Sequence, residues 1–261
     1  MKARVLGLAS VLVLALGVAG CAKKASQPVE QPSAAPAAPA AATVNPATAG
    51  EITGTVKLMG AAPRMPVIKM GADPGCITAN KGRIMRGEEV QVGKGGTLEN
   101  VVVFIESGLG NYSYTTPTEP AVLDQKGCMY EPHIVTMMTN QPLNVVNSDT
   151  FTHNINVMPK NNPSWNEAQP AGSAPIVKTF PRAELAIPVR CNIHPWMQGF
   201  IFVFDNPYFA KTSDDGTFTI KNVPPGTYTV EAWQEKFGVQ KTQVTVGASQ
   251  TQKVDFSFKA K

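Results

Sequence analysis

From Glu51 onward the sequence is a succession of short apolar runs, each broken after a few residues by Gly or Pro. Runs such as Val101–Ile105 are rich in β-branched and aromatic residues, which favour strands over helices. Long stretches of apolar residues at helical spacing do not occur in the sequence. The pattern therefore predicts an all-β protein.

The first twenty residues have the features of an export signal. Lys2 and Arg4 precede an apolar stretch, Leu6–Leu16, that is too short for a membrane-spanning helix with these flanks. The small residues before Cys21 resemble the bacterial lipobox, which implies cleavage before Cys21 and a lipid on its sulfur. Ordinary signal cleavage nearby is the alternative. Because Ala22 follows the cysteine instead of Asp, the resemblance favours the periplasmic face of an outer membrane over the outer face of the cytoplasmic membrane.

Residues 21–50 are dominated by Ala, Pro, Ser, Gln and Thr, a composition that predicts a flexible tether without a core of its own. Removal of residues 1–20 lowers the formal net charge from +4 to +2, since it removes Lys2 and Arg4. Lys and Arg do not cluster with aromatic residues, so a nucleic-acid partner is not expected. A lipid anchor followed by a tether would hold a domain at a membrane while leaving it free to meet partners.

One segment concentrates side chains that bind soft metals. Cys191, His194 and Met197 occur at spacings of three residues in a predicted tight loop, directly before an apolar strand that ends at Phe204. His153 lies upstream in a turn between two other predicted strands. Two imidazoles, one thiolate and one weak thioether form the ligand set of a mononuclear blue-copper site. We therefore predict one copper ion per chain.

Residues 133–204 resemble the cupredoxins, Greek-key barrels in which an upstream loop supplies one His and the last loop supplies Cys, His and Met. The short spacing from Cys191, with Pro195 after the second His, is similar to the amicyanin loop. The resemblance implies that His153, His194 and Cys191 bind a type 1 copper and that Met197 is its axial ligand.

The same resemblance suggests supporting roles for two neighbours of the ligands. Asn154 corresponds to a position that links the two ligand loops by hydrogen bonds, and such bonds orient ligands and tune the potential. Trp196 either shields the imidazole of His194 from water or packs on the loop. In cupredoxins the second His is the exposed ligand, so His194 is expected to be the exit for the electron.

Other roles for these residues are more common when each is taken singly. An exported Cys usually forms a disulfide, and a Met in a β-loop usually packs. If Cys21 carries lipid and Cys191 binds metal, Cys76 and Cys128 remain to form a disulfide; pairing of Cys191 with either one is the competing arrangement and would destroy the site. His133, the third histidine, belongs to a second metal site, to a redox path or to a structural hydrogen bond, of which the last is favoured because Cys128 and His133 alone are too few ligands.

The segment Thr212–Trp233 (TSDDGTFTIKNVPPGTYTVEAW) resembles the carboxypeptidase-regulatory-like, or transthyretin-like, β-sandwich. Its usual opening strands resemble Glu51–Glu106, far earlier in the chain. We therefore predict a discontinuous sandwich of residues 51–116 and 207–261, with residues 117–206 inserted as a copper domain, because insertions are tolerated at exposed loop tips. Two domains in series are the alternative.

These features predict an exported electron carrier that passes single electrons between membrane or periplasmic redox partners, such as cytochromes or a dehydrogenase. An enzyme is not expected, because the sequence has no Ser-His-Asp arrangement or phosphate-binding Gly loop and only three histidines. The alternatives are a copper carrier without electron transfer and a surface adhesion or carbohydrate-binding scaffold without metal.

Overall fold

The computed structural model describes residues 41–260, which form strands almost throughout and one short helix. The predicted all-β class is confirmed. The elements are β1 Gly50–Met59, α1 Pro74–Ala79, β2 Val102–Ser107, β3 Ala121–Lys126, β4 Met129–Glu131, β5 Ile134–Met138, β6 Leu143–Asn147, β7 His153–Val157, β8 Trp165–Gln169, β9 Ile176–Lys178, β10 Glu184–Arg190, β11 Gln198–Phe204, β12 Phe209–Lys211, β13 Thr217–Val223, β14 Gly226–Gln234, β15 Gly238–Val246, β16 Thr251–Lys253 and β17 Phe256–Lys259. The described part of the chain contains no helix long and apolar enough to cross a membrane.

The strands near the two ends of the described chain pair with one another. In one sheet β1 lies between β13 and the parallel strands β16 and β17, and in a second sheet the order is β12-β2-β14-β15. Alternate residues of these strands face a shared apolar core, as expected for strands buried on one side. Members of this core include Ile52, Val56, Val103, Ile220, Tyr228 and Phe256.

The strands between residues 121 and 204 form two further sheets. Their orders are β5-β11-β10-β7-β8 and β4-β3-β6-β9, with β5 parallel to β11 and β3 parallel to β6. The core of these sheets contains Leu143, Ile155, Val189, Cys191 and Met197. Cys191 follows β10 and Met197 precedes β11, so both ends of the Cys191 loop are anchored in this core.

A smaller apolar cluster joins the two pairs of sheets. It consists of buried side chains from β2, β5 and β11, with Trp233 of β14 packed against it: Val102, Phe104, Ile134, Phe202 and Phe204. Phe202 and Trp233 contact with ring centroids 4.9 Å apart. Burial of such large side chains stabilises the contact, at about 1.5–3 kcal/mol for each.

The irregular segment between β1 and β2 differs from its prediction at one place. The sequence Ala72–Cys76 (ADPGC) predicts a turn, but Asp73 caps helix α1, and its Oδ1 accepts hydrogen bonds from the backbone N–H groups of Gly75 and Cys76. Pro74 occupies the start of the helix, where its missing N–H is not needed. The prediction was wrong because a helix of six residues is too short to show a helical period.

The predicted signal peptide, Cys21 and residues 21–40 of the predicted tether lie outside the described residues. The rest of that tether contacts the folded chain. Ala42 hydrogen-bonds with the backbone of Asn111 and Ser113, and Thr48 accepts a hydrogen bond from the backbone N–H of Ser249. Residues 42–49 are therefore held against the sandwich by backbone groups that composition alone does not reveal.

Candidate metal centre

Three of the predicted ligands meet inside the domain. His153 begins β7, whereas Cys191 and His194 lie in the loop that joins β10 to β11. The Nδ1 atoms of the two imidazoles are 3.1 Å apart, and Sγ of Cys191 lies 3.7 Å from Nδ1 of His194. All three side chains are buried, with exposed fractions of 0%, 4% and 2% in chain order. Two nitrogen donors and one sulfur donor thus share one small, buried site.

The loop that carries Cys191 and His194 is closed by its own backbone. The N–H of Cys191 donates to the carbonyl of Met197 at 3.0 Å, and the N–H of Met197 donates to the carbonyl of His194 at 2.9 Å. β10 and β11 are antiparallel neighbours, so the loop begins and ends at the same end of this strand pair. Met197 is fully buried in the same apolar cluster as Cys191. The sequence spacing therefore produces a compact, fixed loop.

Each imidazole is held from behind by a carboxylate. Nε2 of His153 lies 2.8 Å from Oδ2 of Asp149, and Nε2 of His194 lies 3.0 Å from Oδ2 of Asp73. An ionised carboxylate can only accept a hydrogen bond, so both Nε2 atoms carry the proton. This is the usual arrangement around metal-binding histidines, in which the second nitrogen donates to a carboxylate and fixes the tautomer.

Both carboxylates are stabilised in the charged form. The hydrogen bond from His194 holds the pKa of Asp73 below its usual range. Burial acts to raise the pKa of Asp149, but the hydrogen bonds from His153 and from the backbone N–H groups of Cys128 and Gly127 lower it. The two anions therefore remain ionised at neutral pH and keep both rings oriented.

The donor atoms facing each other require a positive charge between them. When Nε2 carries the proton, Nδ1 of a neutral imidazole is a lone pair. Two such lone pairs at 3.1 Å repel unless a proton or a metal ion lies between them. Burial acts to lower the pKa of His153, but its hydrogen bonds to Asp149 and Cys191 raise it to about 9. The site therefore favours a cation.

The thiol of Cys191 is also suited to binding a metal ion. Burial acts to raise its pKa, but the hydrogen bonds from His153 and from nearby backbone N–H groups lower it to about 6. A thiolate is the form that binds metals. A thiolate with two imidazoles suits copper and zinc, and copper in particular when a thioether is available. The residues present thus fit a copper ion.

His194 is not the exposed ligand that the cupredoxin resemblance implied. It is 2% exposed, because Asp73 covers Nε2 and the rings of Trp196 and Phe151 lie 5.3 and 6.3 Å from its own. The prediction of a solvent-facing His194 is wrong for this chain. The covering residue Asp73 comes from the segment before β2, which the spacing of the ligand loop cannot reveal.

The two neighbours of the ligands occupy distinct places. The side chain of Asn154 accepts a hydrogen bond from the backbone N–H of Asn192 at 3.0 Å and so joins the start of β7 to the Cys191 loop. Trp196 is partly buried, and its Nε1 donates to the carbonyl of Cys128 at 3.1 Å. Its ring also contacts His194. The indole therefore connects the ligand loop to the segment around Cys128.

Cys76 and Cys128 form a disulfide, and Cys191 is a free thiol. The sulfur atoms of the disulfide lie within 4.8 Å of a ring nitrogen of His194. Cys76 lies in the helix that Asp73 caps, and the backbone N–H of Cys128 donates to Asp149. The disulfide thus ties the segment that carries Asp73 to the segment whose backbone N–H groups bind Asp149.

Sequence reasoning missed both carboxylates. Asp149 precedes His153 by four residues in the same turn, and its nearness to a ligand was the available signal. Asp73 is 121 residues from His194 in sequence, and nothing local indicates the contact. His133 lies apart from this site, with Nε2 2.7 Å from Oε2 of Glu235.

Comparison with known families matches the C-terminal part of the chain. Residues 204–254 match the family model described as polysaccharide lyase family 4, domain II. Rhamnogalacturonate lyase A of Emericella nidulans is 42% identical over 57 residues, which are 21% of this chain and 11% of the lyase. The chain thus spans about a tenth of that relative, and the three converging donor residues lie outside the family match.

Similar solved structures are cupredoxins and a related reductase. Amicyanin from Paracoccus versutus is 20% identical, with 39% of this chain and 96% of amicyanin covered and a TM-score of 0.29. The novel purple cupredoxin from Nitrosopumilus maritimus is 18% identical, with coverage of 32% and 97% and a TM-score of 0.27. The copper-containing nitrite reductase from Thermus scotoductus SA-01 is 19% identical, with coverage of 38% and 26% and a TM-score of 0.31.

Proposed function

We propose that this chain is an exported type 1 copper protein that carries single electrons. The observation that supports this most directly is the convergence of Nδ1 of His153, Nδ1 of His194 and Sγ of Cys191, with both Nε2 atoms held by carboxylates. A soft thiolate favours Cu(I), whereas imidazoles suit either oxidation state. The donor set therefore serves an ion that alternates between the two states.

The residues of this chain would hold the ion in a fixed environment. When bound, copper supplies the one-electron couple. Asp149 and Asp73 keep the imidazole rings oriented, and the closed backbone of the Cys191–Met197 loop keeps the thiolate in place. Met197 would supply a thioether to the ion. A site held this rigidly needs little rearrangement when an electron enters or leaves, which is the requirement for fast transfer.

The proposed exit for the electron is the surface around Asp73 and Trp196. His194 is covered, but the Asp73 side chain that contacts its Nε2 is 36% exposed and Trp196 is partly exposed. Ile193 and Ile77 are 49% and 43% exposed and provide apolar area for docking near this surface. The partners proposed here are membrane or periplasmic redox proteins, such as cytochromes or a dehydrogenase.

The proposed place of action is a membrane surface outside the cytoplasm, with lipid on Cys21 as the anchor. The proposed domain organisation is a discontinuous carboxypeptidase-regulatory-like sandwich of residues 51–116 and 207–261 that carries residues 117–206 as the copper domain. The pairing of β1 and β2 with strands after residue 206 supports this arrangement.

The test is the visible absorption and EPR spectrum of the purified chain after addition of Cu(II). A type 1 site gives an intense thiolate-to-copper absorption band at about 600 nm and a narrow copper hyperfine splitting. Cys191→Ser is expected to abolish both, whereas the control His133→Gln, which removes the histidine outside the site, keeps both. Well-folded protein without colour or stoichiometric copper would overturn the proposal. Tight binding of Cu(I) without colour would instead indicate a copper carrier.

A second candidate function is a carbohydrate-binding scaffold. The match of residues 204–254 to domain II of a polysaccharide lyase family favours it, since the named relative acts on rhamnogalacturonate. This candidate predicts retention of the chain on immobilised pectic polysaccharide and no copper at the Cys191 site. Metal analysis and retention measured on the same sample separate the two functions.

A further inference from the structure

The segment between β1 and β2 forms a closed loop beside the Cys191 site. Its two limbs are joined through the backbone, where the N–H of Ile68 donates to the carbonyl of Met85 at 2.9 Å. Helix α1 lies between the limbs, and its Cys76 is joined to Cys128 by the disulfide. A hydrogen bond and a covalent bond therefore hold this loop in place.

The outer face of this loop carries exposed aliphatic side chains. Val67, Ile77 and Ile84 are 47%, 43% and 73% exposed. They line one recess of about 210 Å³, and Ile68 and Met85 also contribute to its wall. Single exposed aliphatic residues are normal on a protein surface, but three around one recess form a patch that can bind another molecule. The recess fits an apolar side chain of a partner.

The surroundings of the recess are basic. The exposed cations of this loop and its start are Arg64, Lys69, Lys81, Arg83 and Arg86. Within residues 41–260, none of the five forms an ion pair, and Arg83 and Arg86 donate only to backbone carbonyls. Asp73 is the single carboxylate of residues 61–87, and its two oxygens already bind the start of α1 and His194. Uncompensated positive charge around an apolar recess fits a negatively charged surface.

The floor of the recess is continuous with the packing around the metal centre. Met70 is buried, lines the recess and belongs to the same apolar cluster as the disulfide. Trp196 packs against that cluster, and its ring centroid lies 5.3 Å from that of His194. A molecule bound at the recess would therefore be connected to a proposed copper ligand through side chains in contact.

We propose that this recess docks a partner protein with an acidic surface, the partner of the electron transfer proposed above, which inserts an apolar side chain between Val67, Ile77 and Ile84. A second copy of the chain fits poorly, because it would present the same basic rim, and like charges across an interface are unfavourable. A membrane surface also fits poorly, because it binds a continuous apolar helix face, and α1 offers one exposed isoleucine beside a concave recess. An acidic protein matches both the charge and the shape.

The test uses one haem protein with two surface charges. Cytochrome c with succinylated lysines is the acidic probe, and unmodified cytochrome c is its basic counterpart. Binding to the full chain is followed by amide NMR without added copper, so the measurement does not require a loaded metal centre. The acidic probe is expected to shift the amides of residues 67–85 at low salt, and the shifts should fade at about 0.3 M salt. The basic probe should leave these amides unshifted.

Variants separate the two parts of the docking surface. Lys81→Gln with Arg83→Gln is expected to weaken binding of the acidic probe about 10-fold at low salt and to reduce its salt dependence. Ile77→Ser with Ile84→Ser is expected to weaken binding about 10-fold with the salt dependence unchanged, because it removes apolar contacts and no charge.

Matched controls change similar side chains on the sandwich. Lys221→Gln with Lys259→Gln removes two exposed cations of β13 and β17, and Val239→Ser removes an aliphatic side chain that is 52% exposed. Both variants should bind the acidic probe as wild type does. Equal weakening by the control and recess variants would overturn the proposal, since net charge or general stickiness would then explain binding.

Two further outcomes would overturn the proposal. One is a set of shifts centred outside residues 67–85. The other is binding to anionic phospholipid vesicles that Ile77→Ser with Ile84→Ser abolishes, together with no shift from the acidic cytochrome; the recess would then be a membrane contact. The absence of a blue-copper spectrum would overturn the proposed function alone, because the docking measurement requires no metal. A blue protein whose recess does not shift would overturn this docking surface alone.

Discussion

Asp73 makes two contacts with its two carboxylate oxygens. Oδ1 accepts the backbone N–H groups that begin helix α1, and Oδ2 accepts from Nε2 of His194 at 3.0 Å. The same side chain therefore caps the start of a helix in the segment before β2 and sets the tautomer of an imidazole in the Cys191 loop. These roles can be separated, because Asn caps a helix as well as Asp but offers only one acceptor oxygen.

Asp73→Asn is expected to weaken copper binding about 10–100-fold with little change in stability, because the cap is kept and the acceptor for His194 is lost. Asp73→Ala is expected to lose the cap as well, which costs about 1 kcal/mol. Copper affinity is measured by competition with a chelator and stability by urea unfolding. Asp214→Asn, an exposed carboxylate in a turn of the sandwich, is the control. Equal copper affinity in Asp73→Asn and Asp214→Asn would contradict the prediction.

Asp149→Asn is expected to be more damaging, because this carboxylate accepts from His153 and from the backbone N–H groups of Gly127 and Cys128. The amide of Asn would place a donor against a donor, and we expect a loss of about 2 kcal/mol in the free energy of unfolding of the metal-free chain. Asp124→Asn, which replaces one of two surface carboxylate oxygens that accept from Ser148, should lose less than about 1 kcal/mol. If both variants unfold at the same urea concentration, Asp149 does not hold this turn.

Removal of the disulfide by Cys76→Ala with Cys128→Ala is expected to reduce stability by about 4 kcal/mol, the loop-closure value for a sequence separation of 52. The segment of Asp73 and the segment whose backbone binds Asp149 would then be held together only by non-covalent contacts, so copper affinity should fall as well. Unfolding of the variant is compared with that of wild type reduced by a phosphine, which separates loss of the covalent link from loss of the two side chains. An unchanged urea midpoint in both samples would refute the prediction.

Glu184, at the start of the strand that leads to Cys191, gives a prediction about pH. It accepts from the backbone N–H groups of Lys160 and Asn161 and from Nδ2 of Asn162. Burial acts to raise its pKa, but these hydrogen bonds lower it. A lowered folded-state pKa means that the stabilisation is present above the unfolded value of about 4.3 and is lost as pH falls through the folded value.

Glu184→Gln should therefore destabilise the chain by about 1.5 kcal/mol at pH 7, and the difference from wild type should shrink below about pH 4. Urea unfolding across this pH range measures both effects. Glu119→Gln, which changes an exposed carboxylate, should match wild type throughout. A difference that persists unchanged at pH 3 would show that the charge of Glu184 is not responsible.

The sequence predicts those parts of the fold and the site that depend on local pattern. Short β-rich runs such as Val101–Ile105 predict strands because their alternation is set by neighbours in sequence. Cys191, His194 and Met197 could be grouped because three-residue spacing in one loop brings side chains together whatever surrounds it. The burial of His194 could not be predicted, since it results from a contact across 121 residues.

The helix that Asp73 caps shows a second limit of prediction from sequence. Its six residues contain too little periodicity to be recognised, although Asp before Pro is a helix-start pattern. The ion pairs of His133 show a third limit. Glu88 lies before β2 and Glu235 follows β14, so only the folded chain reveals that both carboxylates contact this imidazole.

The disulfide and Asp73 also determine whether the metal-binding part of this chain can be excised and kept intact. Residues 117–206 contain Cys128, Asp149, His153, Cys191 and His194, but Cys76 and Asp73 lie outside that stretch. An excised or transplanted piece would carry the donor atoms with an unpaired Cys128 beside them and with Nε2 of His194 open to water. It would be a more exposed and more oxidisable centre, so engineering of this site has to begin at residue 73 rather than at residue 117.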